Sequence, residues 1–488
     1  MRKRVANKNN SIYKYTCAVL LLFAGLFQNA RGADLAIVIN TLECSNYYRS
    51  ASFLTDLKDN FDIRFIFPEY ESRIAVKYLD EKFNLKWDKY EVEFNDSLYN
   101  NYRKNKTSEC VYFPNNSKNP LFSFPLSLLA FSYNILKSIP GKLKTDTIPI
   151  DPRFLFTRDM SFAFDSTNVY MLDAQFGSML ELNKKTYEQR IFNLPDSFQY
   201  EVIRKAVLTT DEINKHDSIE GELKDQRSFI NKIINFQHIG CFGKNLFIKA
   251  TVEYYQKTET NTVGIYSRVF IIRVNPHNFS EREFLIFPPT QDFYHSYAPP
   301  FALGDTICLP IGIQHITNLP PDKKYLIAKY KYTGKEMKFL NFDPVNVLPE
   351  EHTRLNLNYN FLNYYTYNNY FSFPFTKKIY GLDGSTFEIK LLPDIDTVAG
   401  SSFPEVKTNY FKLSFAVEYP IVNFIAKFDD GTVKLFSYDY SNNLPFNQII
   451  LPLKIKTLWP EEDTFKFISI NSFIHINVRN QYIVKYYW

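Results

Sequence analysis

Met160–Phe164 (MSFAF), Asn168–Asp173 (NVYMLD), Ser178–Asn183 (SMLELN) and residues 188–194 (EQRIFNL) form the stretch that decides the fold of this chain. Each piece is a short aromatic and aliphatic run, and a polar break holding Asp, Asn, Gly or Lys separates it from the next. Runs of that length bounded by turn formers are strands joined by tight antiparallel connections. The unit returns with variation from about residue 153 to residue 488, and a repeated four-stranded antiparallel unit is the blade of a β-propeller.

Working outward, residues 209–234 are charged, with helical apolar spacing at Ile213, Ile219, Leu223, Phe229 and Ile233, and read as an insertion between blades. The second blade takes His238 onward, 245–250, 268–274 and 284–287. The third uses 301–303, 306–309, 325–330 and 337–342; the fourth uses 358–365, 370–373, 378–382 and 387–391. The fifth covers about 410–452, and 465–471, 472–478 and 482–487 leave the last blade with three strands. A closed ring has no free sheet edge, so residues 147–156 are expected to supply the missing outer strand, giving six blades over 147–488, with five or seven as the alternatives.

Composition agrees. The 46 Phe and 35 Tyr with only 15 Gly suit sheets packed face to face, so the chain is expected to be mainly β. The formal charge of +5 is local: Arg2, Lys3, Arg4, Lys8, Lys14 and Arg31 lie in the first 32 residues with no acid, and the rest holds 51 bases against 52 acids. That balance gives no support to nucleic-acid binding. The cationic start, the apolar run 17–27 and Ala30-Arg31-Gly32 read as a signal peptide over 1–32 cleaved before Ala33, which implies a periplasmic or secreted protein. No later segment is a transmembrane candidate, since the apolar run 126–136 is short and broken by Ser127, Ser132 and Asn134.

Residues 33–142 have a different rhythm. Strand 35–40, helix 45–58, strand 63–67, helix 72–83, the hairpin strands 109–113 and 120–124 and helix 126–139 follow in order, with Cys44 where the first strand turns into a helix. This order resembles the thioredoxin fold, in which a C-x-x-C pair at a helix N-terminus supplies a thiolate and a resolving thiol. Here the tetrad is Cys44-Ser45-Asn46-Tyr47, so the resolving thiol is replaced by Tyr47, and residues 104–109 lack the family's proline. Ordinary dithiol exchange is excluded on that reading, and single-thiol chemistry through Cys44 or a redox-silent domain remains.

No other chemistry announces itself. Cys44, Cys110, Cys241 and Cys308 follow no disulfide or metal-ligand spacing, so no metal is expected. His216, His238, His277, His295, His315, His352 and His475 are scattered singly, and no P-loop or dinucleotide motif occurs, so no cofactor is expected. Asp429-Asp430-Gly431 reads as a hairpin turn, because Val433 and Leu435 stand where calcium ligands would follow. The run 364–370, YYTYNNY, reads as strand packing with exposed turn residues, with a stacking platform as the alternative.

Together these features resemble the secreted six-bladed propeller proteins of Bacteroidota, here with a degenerate thioredoxin-like domain in front. The resemblance implies a scaffold and no transferable catalytic set. The expected function is an exported, non-catalytic binding protein whose propeller mouth holds a peptide, a glycan or an envelope protein. The alternatives are a single-thiol redox protein through Cys44 and a propeller hydrolase or lyase. His238, His315 and Arg268 are the candidate binding residues, and the innermost strands discriminate: converging His, Asp, Glu and Arg favour an enzyme, while an aromatic and Asn lining favours binding.

Overall fold

The computed structural model describes residues 34–39, 52–71, 77, 81, 90–103, 107–115, 117, 119–157, 160–223, 234–242, 245–258, 260, 262–286, 294–295, 300–303, 306–312, 325–332, 337–345, 365–368, 370–372, 377–381, 385–392, 396–397, 406–407, 410–455 and 463–488. The leader, the tetrad at Cys44 and His315 lie outside them.

The N-terminal sheet is built on β1 (Asp34–Val38), which pairs in parallel with β2 (Asp62–Phe67); β2 pairs in parallel with β3 (Glu91–Phe94). Helix α1 (Asp96–Tyr102) follows, capped by Asn95, whose Oδ1 accepts the Leu98 amide at 3.0 Å. Then β4 (Glu109–Phe113) returns antiparallel beside β1, and β5 (Phe122–Pro125) beside β4, before α2 (Leu129–Ser138). The sheet order is therefore β3-β2-β1-β4-β5. β1 is apolar from Leu35 to Val38 because both its faces are covered: Leu35 and Ile37 join Leu54, Leu57, Leu129 and Leu136, while Ala36 and Val38 join Tyr99 of α1.

Six antiparallel sheets follow as a β-propeller, closed by β6 (Lys144–Ile148). The first blade is β7 (Met160–Phe164), β8 (Asn168–Asp173), β9 (Ser178–Asn183) and β10 (Gln189–Asn193). Three helices come next, α3 (Leu194–Ser197), α4 (Tyr200–Val207) and α5 (Thr210–Leu223). The insertion thus begins at Leu194, earlier than expected: Pro195 enters the first helical turn, and Leu194, Phe198, Ile203 and Val207 bury a helix-spaced stripe. α5 opens with a capping box, in which Glu212 Oε2 accepts the Thr209 amide at 2.8 Å and Thr209 Oγ1 accepts the Glu212 amide at 3.3 Å.

The second blade is β11 (Ile234–Phe242), β12 (Asn245–Lys257), β13 (Val263–Asn275) and β14 (Asn278–Ile286). In the third, β15 (Tyr294–His295) and β16 (Phe301–Leu303) both pair with β17 (Thr306–Gly312), followed by β18 (Tyr325–Tyr332) and β19 (Met337–Val345). The fourth is β20 (Tyr365–Tyr367), β21 (Tyr370–Ser372), β22 (Lys378–Gly381) and β23 (Thr386–Glu388), trailed by the ribbon β24 (Asp396–Thr397) and β25 (Val406–Lys407). The fifth is β26 (Tyr410–Glu418), β27 (Ile421–Phe428), β28 (Thr432–Asp439) and β29 (Leu444–Lys454). Its β27–β28 connection is a plain hairpin turn, with Gly431 at φ 79° and the Thr432 amide donated to Asp430 Oδ1 at 2.8 Å.

The sixth blade is β30 (Asp463–Ser469), β31 (Ser472–Asn477), β32 (Tyr482–Tyr487) and β6, with Ile148 opposite Ile483 and Lys144 opposite Tyr487. The closing strand thus spans 144–148, not 147–156. Pro149 and Pro152 have no amide to donate, which ends the ladder. The remainder is clamped instead: Gln481 takes the Phe156 amide at 2.8 Å and donates to its carbonyl at 3.0 Å, and Gln189 donates to Pro149 O at 2.6 Å. Adjacent inner strands are stitched by one device used twice. Ser161 Oγ of β7 accepts the Ile239 amide of β11 at 3.0 Å, and Ser414 Oγ of β26 accepts the Phe467 amide of β30 at 3.3 Å.

The N-terminal sheet and the propeller grip the segment between them from both sides. Asn60 donates to Ile139 O at 2.7 Å and accepts the Gly141 amide at 2.7 Å. From the propeller, Asn423 Nδ2 donates to Ser138 O at 2.7 Å, Trp488 Nε1 to the same oxygen at 3.3 Å, and Asn447 Nδ2 to Pro140 O. Ile421 and Phe446 of the fifth blade also belong to the core under the N-terminal sheet. Gly141 is required by this close approach, since a Cβ there would lie 2.2 Å from Asn60 O. Among the described residues no helix is long and apolar enough to cross a membrane.

Candidate functional site

His238 and Arg268 both lie in the second blade, yet strand alternation sends them to opposite faces. His238 is opposite Lys249, and Lys249 is opposite Ile271, whereas Arg268 is opposite Val252, an odd number of residues away along β12. The face of Val252 packs against the first blade and its helices, and the face of Ile271 packs against Ile307, Leu309 and Tyr330 of the third. The two candidates therefore do not form one site.

Arg268 is a brace. It pairs with Glu212 Oε1 of α5, which also accepts the Tyr254 hydroxyl at 3.1 Å. Burial acts to raise the Glu212 carboxyl, but the Thr209 hydrogen bonds and the Arg268 charge outweigh it and hold the group below its usual range. Arg268 thus ties the inserted helix to the β12–β13 ribbon.

His238 is half-buried, with its Nε2 covered and without a hydrogen-bond partner. Burial, and then the neighbouring Lys249 charge, push it down to about 3 from an ordinary 6.5. Lys249 is 1% exposed, and burial pushes it down to about 7 from 10.5. The unfolded chain therefore holds a proton on Lys249 that the folded chain lacks between these two values, so its contribution to stability rises as pH increases from about 7 to 10.5. His238 works in a lower window, with stability falling as pH drops from 6.5 towards about 3. Lys249→Met should raise the melting temperature near pH 7 and flatten the rise on the alkaline side; an unchanged slope in a pH series of thermal melts would refute this.

On the innermost strand β30, burial pushes the Lys466 ammonium down to about 8 from 10.5. Met160, Phe162 and Phe164 of β7, and Thr464, Lys466 and Ile468 of β30, are half-buried, with Lys466 Nζ 5.9 Å from the Phe164 ring centre. The carboxylates close to these strands are occupied in holding turns and strands. Asp165 accepts the Thr167 and Asn168 amides at 2.7 and 2.6 Å and the Tyr170 hydroxyl at 2.8 Å. Asp463 meets His475 Nε2 at 2.7 Å and Asn477 Nδ2 at 2.8 Å. Cys110, Cys241 and Cys308 form no disulfide among the described residues, and burial pushes the Cys241 and Cys308 thiols up to about 12 and about 11, far from thiolate reactivity.

His216, Asp217 and Glu220 of α5 place ligand atoms within 4.8 Å of one another. Their bonding does not suit a metal. His216 Nδ1 accepts the Tyr255 amide at 2.9 Å, so a neutral ring carries its proton on Nε2, the nitrogen 3.8 Å from Glu220. Asp217 pairs with Arg204. His216 thus ties α5 to β12, and Asp217 ties it to α4.

An open arrangement lies at the rim between the fourth and fifth blades. Phe387 stacks on Tyr440 with centroids 4.0 Å apart and planes at 12°, Tyr370 meets Phe387 at 6.0 Å, and Tyr419 stands at 79° to Tyr440, 6.0 Å away. Tyr419 is 77% exposed, whereas the other three rings are half-buried. The corner between Tyr440 and Tyr419 is held by a rigid turn. Asp439 Oδ1 accepts the Ser441 and Asn442 amides at 2.9 and 3.1 Å, Oδ2 accepts Asn442 Nδ2 at 2.8 Å, and the Tyr440 amide donates to Pro420 O at 3.1 Å. Exposed Ser441, Asn442 and Asn443 edge it, and Glu418 is exposed next to Tyr419. The sequence flagged the run ending at Tyr370; its partners are 17 to 70 residues further on, and only the packing of two blades unites them.

No family model matches the chain, and no curated protein matches it. Among solved structures it is similar to a PQQ-bound aldose sugar dehydrogenase from Streptomyces coelicolor, at 8% identity and a TM-score of 0.36, over 72% of this chain and 99% of that one. It is also similar to a candidate exported protein from Bacteroides fragilis, at 9% identity and a TM-score of 0.35, over 72% and 95%. A Trypanosoma rangeli sialidase follows, at 7% identity and a TM-score of 0.34, over 72% and 59%. Likeness at this level transfers no activity.

Proposed function

We propose that this chain is an exported, periplasmic or secreted, non-catalytic binding protein in which the propeller, residues 147–488, carries the ligand. The observation that supports this most is the contrast between occupied carboxylates beside the inner strands and an exposed aromatic corner at the rim. Most glycoside hydrolases use two carboxyl groups facing a common space. Asp165 instead holds its own turn through both oxygens, and Asp463 Oδ1 is taken by His475 and Asn477.

Residues 33–142 are read as a thioredoxin-like domain, a reading supported by the parallel β2-β1 pair flanked by antiparallel β4 and β5, with a helix to follow. Their role is to orient the propeller through the shared asparagine contacts. Tyr47 cannot resolve a mixed disulfide, so a substrate attacked by Cys44 would stay attached until an outside thiol released it. The purified protein should show no multiple turnover in an insulin reduction assay, and Cys44→Ser should leave folding and ligand binding unchanged. Multiple turnovers abolished by Cys44→Ser would establish the redox alternative and overturn the binding reading.

A further inference from the structure

We infer that the open edge of β13, residues 263–269, is the surface through which a second copy of this chain pairs, antiparallel about a two-fold axis at Tyr266. The inference is independent of what the propeller binds.

The edge follows from unequal strand lengths. β13 pairs with β12 from Val263 to Val274 but with β14 only from Phe270 onward, and Pro288 and Pro289, which follow β14 in the chain, have no amide with which to extend it. The β12–β13 ribbon therefore runs on past its blade. On its β12 side it is held by α5, where His216 Nδ1 accepts the Tyr255 amide at 2.9 Å; on its β13 side no described residue pairs with 263–269. The Thr258 amide donates to Thr262 O at 2.8 Å, and hydrogen-bonded positions alternate along an antiparallel ladder. Gly264, Tyr266 and Arg268 accordingly turn their backbone groups towards β12, while Val263, Ile265, Ser267 and Val269 turn theirs outward. A row of outward amides and carbonyls fits one thing, an extended strand.

Other outer strands are guarded against such pairing: β14 carries Glu281, Arg282 and Glu283, and β29 carries Pro445 and Pro452. Residues 263–267 (VGIYS) hold neither charge nor proline, and Ile265 is 61% exposed. The order of residues suits self-pairing. About Tyr266, Val263 falls opposite Val269, Ile265 opposite Ser267 and Gly264 opposite Arg268, so the outward residues of each copy meet those of the other in about eight backbone hydrogen bonds. The one charge, Arg268, is already paired with Glu212 and faces a glycine, and the two Tyr266 residues form a cross-strand aromatic pair at the axis. The register is unique. A slip of two residues one way sets Val263 against Ile271, whose place beside β13 Leu285 already holds; the other way it carries Val269 past the strand's end. A foreign peptide finds no charge on this edge by which to be selected.

The test is sedimentation velocity of the full-length protein over a concentration series. A seven-residue edge is a small interface, so monomer should give way to dimer only by about 100 μM. Ser267→Pro removes an outward amide and leaves the β12 ladder intact, and Ile265→Lys places a charge on the edge; each should weaken dimerisation about tenfold or more. Dilute samples of both should melt as the wild type does, because these positions are exposed, and Ile450→Lys, on a position 62% exposed in β29, should dimerise normally. Tyr266→Cys on the axis should oxidise to a covalent dimer well ahead of Phe131→Cys, whose position is 83% exposed. A monomer at every concentration would overturn the inference: slow hydrogen exchange of the 265 and 267 amides would then show the edge covered by the chain itself, and slowing only on addition of a peptide library would show a foreign strand. A dimer indifferent to both Ser267→Pro and Ile265→Lys would overturn it equally.

Discussion

Deleting residues 480–488 should abolish the cooperative thermal transition of the propeller. The segment carries β32, which stands between β31 and β6 in the sixth blade. Its loss turns both neighbours into sheet edges and removes the Gln481 clamp on Phe156. Ile483, Tyr486 and Trp488 are 0%, 5% and 8% exposed, and at roughly 2 kcal/mol for each buried side chain their removal costs about 6 kcal/mol before the lost ladder is counted. That is comparable with the whole net stability of a typical domain, about 5–15 kcal/mol. The Trp488 indole also leaves Ser138 O, so the damage reaches the N-terminal sheet. Calorimetry should show a broad, non-cooperative melt with strong binding of hydrophobic dye at room temperature. A sharp transition at the wild-type temperature would show that the ring does not depend on its closure.

The sequence carried the blades where short-range chemistry writes them. In the first blade, Asp165, Asp173 and Asn183 each take amides two or three residues on, so the turns are local and visible in the chain. The need for ring closure pointed to a strand at 147–156 without fixing its register, and Pro149 and Pro152 set its end at 148; Phe154 and Phe156 are buried, but as a clamped crossing and not as a ladder. Helices α3 and α4 were hidden in a stretch read as strand end and break.

Sites were less legible. His238 and Arg268 were chosen by residue type, and strand alternation around a bulge between Phe236 and His238 decides their faces, which no spacing rule reveals. The aromatic corner and the asparagines at the junction depend on contacts between residues up to hundreds of positions apart, where a one-dimensional pattern holds no information.

Those asparagines carry the last prediction. Asn423 is fully buried, and its Nδ2 serves both Ser138 O at 2.7 Å and Ile470 O at 2.8 Å, joining the segment after α2 to the β30–β31 turn. Asn423→Ala leaves Ile470 O without this donor, leaves Ser138 O to the longer 3.3 Å bond from Trp488, and opens a small cavity. A buried carbonyl stripped of its donor costs about 1–3 kcal/mol, so the substitution should destabilise the junction by roughly 2–4 kcal/mol once the cavity is included. The effect should fall on coupling more than on either sheet, because the backbone pairing of Asn423 opposite Ala416 and Ser437 is kept by alanine, while the side chain bonds only outside its own blade. Wild-type protein should melt in one transition; Asn423→Ala should melt in two, with the lower one reporting residues 34–139 and with protease cutting first near Gly141. Asn423→Asp, which keeps the shape but lacks the donor, should behave as badly or worse. A single transition shifted by less than a degree in both variants would mean that Ile421 and Phe446 packing and the Asn447 bond to Pro140 hold the two halves, and that the Asn423 bond to Ser138 is incidental.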